Sequence, residues 1–390
     1  GDVYKRQGFG IRYTGNFTWS SVAETLEQQE RYGQGQIGAN GGASYTKETS
    51  GSWGPVLDGS PFEAWNGETY AYSKYGNKLK DYFDTGFSQN HNVSISNGTE
   101  TSHFRASFGA SDNKGVFPNE KLNRINIDLN AGTELNKWMS IDGKISLSRT
   151  KAEDRPEYGT YGAINQLMGI PHNVRLDDLK QYSTEDAVHV NWYGPSAEIR
   201  NPYYVLHQRH NSDERWRAFG YYSTKISFTD WLHLSAKYAF DYYRTRVQNT
   251  NAGDAYNNET VPSAITDDKM DRGEENFFES NAEFILMGDR QLTENFRLGF
   301  TLGSNFMYQK FESLSAGVGN MLTKGEWMFN AANLLRTAAE TGKERAMNSV
   351  FGSVQMAWKE YLSLDLTARN DWSSCLLYTS PSPRDTERSR

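Results

Sequence analysis

Apolar and polar residues alternate along most of the chain with a period of two. In residues 8–20, one parity is apolar or aromatic and the other is polar: Ile11, Tyr13, Phe17 and Trp19 alternate with Arg12, Thr14, Asn16 and Thr18. Successive side chains of a β-strand point to opposite faces, so this alternation predicts a strand with one apolar and one polar face. Ten further segments follow the same rule, at residues 87–96, 101–111, 123–130, 138–149, 217–228, 231–247, 277–287, 296–308, 348–358 and 361–371. We therefore predict 11 strands.

The connections between these strands fall into two classes that alternate along the chain. Short connections lie at residues 97–100, 132–137, 229–230, 288–295 and 359–360. Long connections lie at residues 21–86, 112–122, 150–216, 248–276 and 309–347. Tight turns at one rim and long loops at the other are typical of an outer-membrane β-barrel, whereas a soluble sandwich has no reason to separate loops in this way.

Strand length and aromatic placement favour the same interpretation. About 10 residues at ~3.3 Å each, tilted by about 45°, rise ~23 Å, close to the apolar thickness that such a barrel crosses. Aromatic residues recur where strands meet the short turns, at Trp138, Trp231, Phe296, Trp358 and Tyr361. An aromatic ring with a polar edge is stable at the boundary between lipid and water, so we expect these residues to form a girdle. The alternative is that aromatic residues are simply common in strands.

The opposite parity carries many charges, including Asp128, Asp142, Lys144, Lys237, Asp241, Asp365 and Arg369. Charges are costly to bury in a solid core, so this face requires a water-filled or plugged lumen and hence a wide barrel. The predicted fold class is all-β: an antiparallel transmembrane β-barrel in which this chain supplies about 11 of about 22 strands. Bacterial outer-membrane barrels have even strand numbers, so we expect 11 strands not to close alone.

Composition restricts the alternatives. Mean hydropathy is -0.75 and no stretch approaches the length of a membrane-spanning helix, while 14% aromatic residues exclude a disordered chain. The net charge of -7 argues against a nucleic-acid partner. Residues 1–7 and 375–390 break the alternation, and we expect both to be non-native, which leaves 8–374 as a partial barrel domain. The only cysteine, Cys375, lies in that tail.

Several segments between the predicted strands carry a resemblance to a known family. They are RYGQG (31–35), SWGPVLDG (52–59), GVFPNEKLNR (115–124), RNPYYVL (200–206) and RNDWSS (369–374). In order and spacing they resemble the SusC/RagA family of TonB-dependent outer-membrane transporters from Bacteroidetes, over nearly all of residues 8–374. The family usually continues after RNDWSS with Thr-Leu-Pro, whereas this chain continues with Cys-Leu-Leu from Cys375. This departure supports an end of the native sequence at Ser374.

The resemblance implies a 22-stranded barrel in the cell outer membrane with an N-terminal plug. It also implies a segment that contacts TonB and a SusD-like surface lipoprotein that closes over the barrel as a lid. Such proteins import oligosaccharides or, in some branches, oligopeptides. The implied partners are therefore the lipoprotein, TonB, a glycan or peptide ligand and outer-membrane lipid. We expect this chain to supply the first half of the barrel and not to transport alone.

No catalytic motif is present. The seven histidines include no HExxH, and neither a GxSxG elbow nor a GxxxxGK[ST] loop occurs, so we predict no enzymatic activity and no cofactor. The acid pairs 177–178 and 267–268 could contribute to a cation site, but adjacent acids in such loops are more often solvated. The alternative function is an outer-membrane barrel without transport, either an adhesin or a barrel enzyme.

The long loops hold the candidate ligand-binding residues. Exposed aromatic rings stack on the apolar faces of sugars, and carboxylates or guanidinium groups bond sugar hydroxyls. The candidates in this pattern are Trp53, Asp58, Trp65, Trp192, Tyr193 and Arg200. Alternatively, these residues pack one loop against another or against the lipoprotein lid. For Trp53 and Asp58 we favour a structural role, because their segment recurs in the family whatever the substrate.

Overall fold

An antiparallel sheet of 11 strands in chain order dominates the structure. The computed structural model describes residues 8–374 except 48, 50, 158, 160, 161, 184–188, 192–200, 254, 257–267, 324 and 360. The sheet consists of β1 (Gly10–Ser20), β6 (Gly86–Gly98), β7 (Ser102–Lys114), β8 (Lys121–Asn136), β9 (Met139–Glu153), β11 (Arg209–Thr229), β12 (Leu232–Asn251), β14 (Lys269–Thr293), β15 (Phe296–Met321), β16 (Ala332–Trp358) and β17 (Leu362–Ser373). The predicted number of strands and the antiparallel, all-β architecture are confirmed.

The shorter elements lie between these strands. Three pairs of short strands are β2 (Gln36–Ile37) with β3 (Ala43–Ser44), β4 (Pro61–Glu63) with β5 (Thr69–Ala71), and β10 (His189–Val190) with β13 (Ala255–Tyr256). The helices are α1 (Lys78–Tyr82), α2 (Ala163–Met168), α3 (Leu176–Lys180), α4 (Pro202–Gln208) and a 3-10 turn at Phe329–Ala331. None of the helices in the described part of the chain is long and apolar enough to cross a membrane.

The two classes of connection are present, but four of the five long ones are clearly shorter than predicted, and the sharpest reductions are at 112–122 and 309–347. Residues 112–122 reduce to a turn at 115–120, and residues 309–347 reduce to 322–331 because β15 and β16 continue beyond the predicted ends. The register pairs these extensions without interruption from Gln309↔Arg345 to Gly317↔Thr337. Here the ladder of backbone hydrogen bonds continues after the apolar alternation has ended, so the hydropathy pattern could not reveal the extra strand length.

The apolar parity forms one belt on what we call the outer face of the sheet, and the polar parity forms the inner face. Residues paired in antiparallel register point to the same face, which places Tyr13, Val93, Phe108, Ile127 and Leu147 side by side across five strands. Large apolar side chains on this face are exposed, with 66% for Ile11 and 55% for Leu302. The outer face therefore requires an apolar surrounding.

The path of the belt gives the tilt of the strands. On β1 the belt runs from Ile11 to Trp19 around Gly15, and the residues in register with Gly15 lead across the sheet to Glu312 on β15. On β15 the belt instead runs from Leu298 to Tyr308. The centre of this segment lies nine residues from Glu312, after eight steps from one strand to the next. With a rise of ~3.3 Å per residue and a strand spacing of ~4.8 Å, this shift corresponds to a tilt of about 40°. Transmembrane barrels have strands tilted by about 35–45°.

The predicted aromatic residues lie at the short-turn rim. Phe296 and Trp358 begin β15 and end β16, and their paired rings lie 6.4 Å apart. Trp138 and Tyr361 lie in the turns and are exposed. The guanidinium of Arg290 lies 5.2 Å from the ring of Trp231. The positions expected for a girdle are thus confirmed at this rim.

Candidate functional site in the packed loops and on the inner face

Two of the motif segments, 31–35 and 52–59, pair with each other in the first long loop. Backbone hydrogen bonds run from Gly33 N to Pro55 O (3.1 Å), from Gly54 N to Gly33 O (3.0 Å) and from Leu57 N to Arg31 O (3.0 Å). The pairing is too close for side chains, because a Cβ added at Gly54 would lie 2.3 Å from the carbonyl oxygen of Gln34. The close approach of the two backbones therefore explains why both motifs contain glycine. We call this pairing the glycine junction.

Gln34 fixes the glycine junction to the long loop between β9 and β11. It is buried, and its backbone N–H donates to Oδ1 of Asn173 at 2.6 Å. Its side-chain amide donates to the carbonyl of Thr49 at 2.7 Å, and its own carbonyl accepts from the hydroxyl of Tyr72 at 2.6 Å. Burial raises the pKa of Tyr72, so that its hydroxyl keeps the proton it donates. The two long loops are thereby held as one unit.

The other loop motifs join the same unit. Asn201 is fully buried and caps α4, since its Oδ1 accepts from Tyr203 N at 2.9 Å. Its amide also donates to the carbonyls of Leu179 and Asn191, both at 2.9 Å. Asn119 of the 115–120 turn donates to the carbonyl of Leu206 at 3.2 Å. Four of the five motifs thus meet in one place.

A small apolar core lies beneath these contacts. Its buried members come from both long loops and are Leu79, Tyr82, Leu167, Ile170, Val174, Leu179 and Tyr203. We call this core, with the glycine junction and α1 to α4, the loop cluster. At two positions it also buries basic groups. Lys78 is 2% exposed and its Nζ donates to the carbonyl of Ile170, while His172 is 7% exposed.

Burial perturbs both of these basic groups. It lowers the pKa of Lys78 to about 7, with a smaller effect from Lys74. Burial also lowers the pKa of His172 to about 4, and the neighbouring charge of Lys78 acts in the same direction. Desolvation disfavours the charged form of each group, so His172 is neutral at pH 7. The loop cluster therefore carries less positive charge at neutral pH than its sequence indicates.

The structure separates the six candidate ligand residues. Trp65 packs against the core of the loop cluster and is half-buried. Asp58 forms a local turn, in which Oδ1 accepts from Ser60 N at 2.9 Å. Hydrogen bonding by the side chain and then the backbone N–H of Ser60 lowers the pKa of Asp58. Trp53 is 57% exposed and its ring lies 5.7 Å from that of Tyr32. The remaining candidates lie outside the described residues: Trp192, Tyr193 and Arg200.

One acid of each pair considered for a cation site has a partner within the protein. Asp177 Oδ1 bonds to Lys180 Nζ at 2.7 Å, which lowers the pKa of Asp177. Asp268 Oδ1 accepts from the backbone N–H of Gly253 at 2.5 Å, and residue 267 lies outside the described residues. Within the described part of the chain, no three His, Cys, Asp or Glu side chains come together as metal ligands.

The inner face of β11, β12 and β14 carries a surface that the sequence reasoning missed. Tyr243 and Phe277 stack at 4.9 Å with an interplanar angle of 16°, and the guanidinium of Arg215 lies 4.7 Å from the Tyr243 ring. Beside them, Arg217 makes a bidentate ion pair with Asp241 at 2.6 and 2.9 Å and lies 4.7 Å from the ring of Phe219. Aromatic residues on the polar parity were the available signal. Such a surface can stack flat groups and bond carboxylates or hydroxyls.

No protein-family model matches the chain, and no curated protein matches it significantly. Solved structures do. The RagAB peptide importer in its "open-open" state matches 95% of this chain with 16% identity and a TM-score of 0.68. Its "closed-closed" state matches 95% with 15% identity and a TM-score of 0.67, and a further RagAB peptide transporter structure matches 78% with 17% identity and a TM-score of 0.60.

The chain has the fold of part of a RagAB chain. It covers 43%, 42% and 34% of the three RagAB chains, so it spans about two fifths of their length. In the two states that match 95% of this chain, the likeness extends over nearly its whole length.

Proposed function

We propose that this chain forms half of a TonB-dependent importer barrel in the cell outer membrane. The observation that carries the proposal is the exposed apolar belt, which crosses 11 strands at the tilt of a transmembrane barrel. Two further observations support the proposal. The tight turns all lie at one rim of the sheet, and the five motifs resemble those of the SusC/RagA family. In this proposal a plug, a TonB-contacting segment and the remaining strands complete an assembly of about 22 strands.

The cargo in this proposal is an oligopeptide or an oligosaccharide. A peptide is favoured by the fold likeness to RagAB, whose structures are described as those of a peptide importer. The inner face supplies fitting chemistry, because Arg215 and Arg217 can bond carboxylates beside the stacked rings of Tyr243 and Phe277. Trp53 remains the most exposed of the candidate loop aromatics that the structure describes. A SusD-like lipoprotein is the proposed lid over the loop rim.

Cell fractionation and uptake test the proposal together. We expect the full-length protein that contains this chain to fractionate with outer membranes and to change its gel mobility on boiling. Cells that depend on it should take up a labelled oligopeptide, and uptake should stop when the proton-motive force is collapsed. Full solubility without detergent contradicts the barrel, whereas membrane insertion without energy-dependent uptake contradicts import and favours an adhesin or a barrel enzyme.

A paired substitution on the inner face tests the choice of cargo. Tyr243→Ser with Phe277→Ser removes the stacked pair and should reduce peptide uptake about tenfold or more, since stacking and apolar contacts of this size contribute about 1–3 kcal/mol. The matched control, Tyr238→Ser with Phe284→Ser, changes the same residue types on the outer face and should leave uptake per inserted protein unchanged. Uptake of oligosaccharide but not of peptide would contradict the peptide assignment.

A further inference from the structure

Cationic side chains cluster on the outer face immediately above the apolar belt, on the side of the long loops. The register places Arg149 beside Trp216 and Trp216 beside Arg244. Two residues further from the belt, Lys151 lies beside Glu214 and Glu214 beside Arg246. We call Arg149, Lys151, Arg244 and Arg246 the cationic patch. Its members lie on β9 and β12, on either side of β11, in two neighbouring rows of the sheet.

The belt ends directly below the cationic patch. On the same three strands, the next outer-face residues towards the short turns are Leu147, Ala218 and Tyr242, which are paired in register. Trp216 lies in the lower row of the patch, between Arg149 and Arg244, and is 56% exposed. Its indole N–H donates to Glu214 at 3.0 Å, and the guanidinium of Arg149 lies 5.4 Å from its ring. An aromatic ring with a bonded polar edge is typical of the level of lipid headgroups.

Acidic neighbours position the patch and leave many of its donors free for a ligand. Arg149 Nε bonds to Glu214 Oε1 at 2.5 Å, and Glu274 Oε2 receives Arg244 Nη2 at 2.5 Å and Arg246 Nε at 3.2 Å. Each guanidinium has five N–H donors, so these contacts use a minority of them. The Arg246 side chain is 61% exposed. Guanidinium groups held in fixed orientations recognise phosphate by paired hydrogen bonds.

We infer that the cationic patch binds the phosphate of an anionic membrane lipid whose acyl chains lie against the belt. The inference rests on the proposed function, because it requires the belt to lie in a bilayer. Two features select a lipid as the occupant: the patch is continuous with the apolar surface below it, and it lies at the level marked by Trp216. The phosphate is drawn to the patch because positive charge near a membrane surface attracts anionic headgroups.

Native mass spectrometry of the full-length protein tests this inference directly. The protein is purified in detergent and offered an equimolar mixture of phosphatidic acid and phosphatidylcholine, and the retained lipids are counted. We expect a preference for phosphatidic acid that falls about 30-fold in the Arg244→Gln/Arg246→Gln variant, through the loss of two surface attractions. A Glu274→Gln variant should instead retain more phosphatidic acid, because it releases both guanidinium groups from a competing carboxylate.

The matched control removes the same charge from the inner face. Lys144→Gln/Lys237→Gln alters two cations that lie over inner-face rings, at 5.8 Å from Phe219 and 4.9 Å from Tyr221, and should change lipid retention less than twofold. Equal losses in both double variants would mean a general charge effect and would overturn the inference. Complete displacement by millimolar inorganic phosphate would also overturn it, because the patch would then bind free phosphate.

Membrane insertion separates this inference from the proposed function. Each variant is first checked for heat-dependent gel mobility, which reports an intact barrel. A wild-type protein that inserts and changes mobility, but shows no preference for phosphatidic acid, overturns the lipid site and leaves the importer proposal standing. A protein that does not enter the membrane overturns both.

Discussion

Asn201 offers a sharp test of the loop cluster, because a single isosteric change reverses its hydrogen bonding. In Asn201→Asp, a carboxylate oxygen replaces the amide that donates to the carbonyls of Leu179 and Asn191. The bond from Tyr203 N to the other oxygen can persist, so the helix cap itself is retained. Two buried carbonyls lose their donors and face a negative charge instead. At about 1–3 kcal/mol for each unsatisfied group, the loop cluster should lose about 3 kcal/mol or more.

Hydrogen exchange of the full-length protein measures this loss. Local opening of the loop cluster should become about 100-fold more frequent, so amides in 163–183 and 201–208 should exchange correspondingly faster, while strand amides of β12 and β14 stay protected. Asn77→Asp is the matched control, because Asn77 caps α1 from an exposed position with only its oxygen, which accepts from Lys80 N at 3.1 Å. Asp caps as well as Asn, so this control should be neutral. If exchange in Asn201→Asp stays within twofold of wild type, Asn201 does not hold the loops together.

Three other perturbations test separate features. Gly54→Ala should expose 31–57 to limited proteolysis, because its Cβ would lie 2.3 Å from Gln34 O, whereas Gly42→Ala, with open space around it, should not. Leu302→Arg, on the outer face, should lower the free energy of unfolding by about 2–4 kcal/mol in urea titrations followed by gel mobility, and the inner-face change Thr301→Arg should cost much less. Burial lowers the pKa of Lys78 from 10.5 to about 7, so between these values the unfolded loop cluster binds a proton that the folded one does not. The urea midpoint of the loop cluster, followed by Trp65 fluorescence, should therefore rise from pH 7 to 10. In Lys78→Met the midpoint should not change with pH over this range. A wild-type midpoint that falls from pH 7 to 10 would contradict the burial of Lys78.

Much of the sheet was predictable because each strand beside the belt has one apolar and one polar face. Period-two alternation therefore located all 11 strands, and the turn positions followed. The alternation failed for the upper parts of β15 and β16, where residues such as Lys310 and Glu340 are polar on the outer face as well. There the strand is held by backbone hydrogen bonds to its neighbours, and these leave no trace in hydropathy.

The loop cluster was less predictable, because it depends on contacts between distant segments. Trp65 has the composition of a sugar-stacking residue, but it packs on a core contributed partly by Leu167 and Leu179, about 100 residues later in the chain. Nothing in its own neighbourhood reveals that contact. Asp58 forms a turn with Ser60, which fits the structural role favoured for it. Ligand binding by Asp58, Trp53, Trp192, Tyr193 and Arg200 stays a prediction. The pairing of Gly33 with Gly54 could have been anticipated only from the steric need for glycine in both motifs.

The unequal strand lengths give the molecule a slanted rim. With the belt in a bilayer, β15 continues beyond the belt for residues 309–321, and at a tilt of about 40° this extension is ~30 Å high. On β8 only residues 121–124 lie beyond the belt, which corresponds to ~10 Å. An antibody or phage that approaches the cell perpendicular to its surface therefore meets the crest at residues 322–331 before it can reach the loop cluster on the lower side. An epitope inserted at that crest should remain accessible on intact cells even when a lid covers the opening.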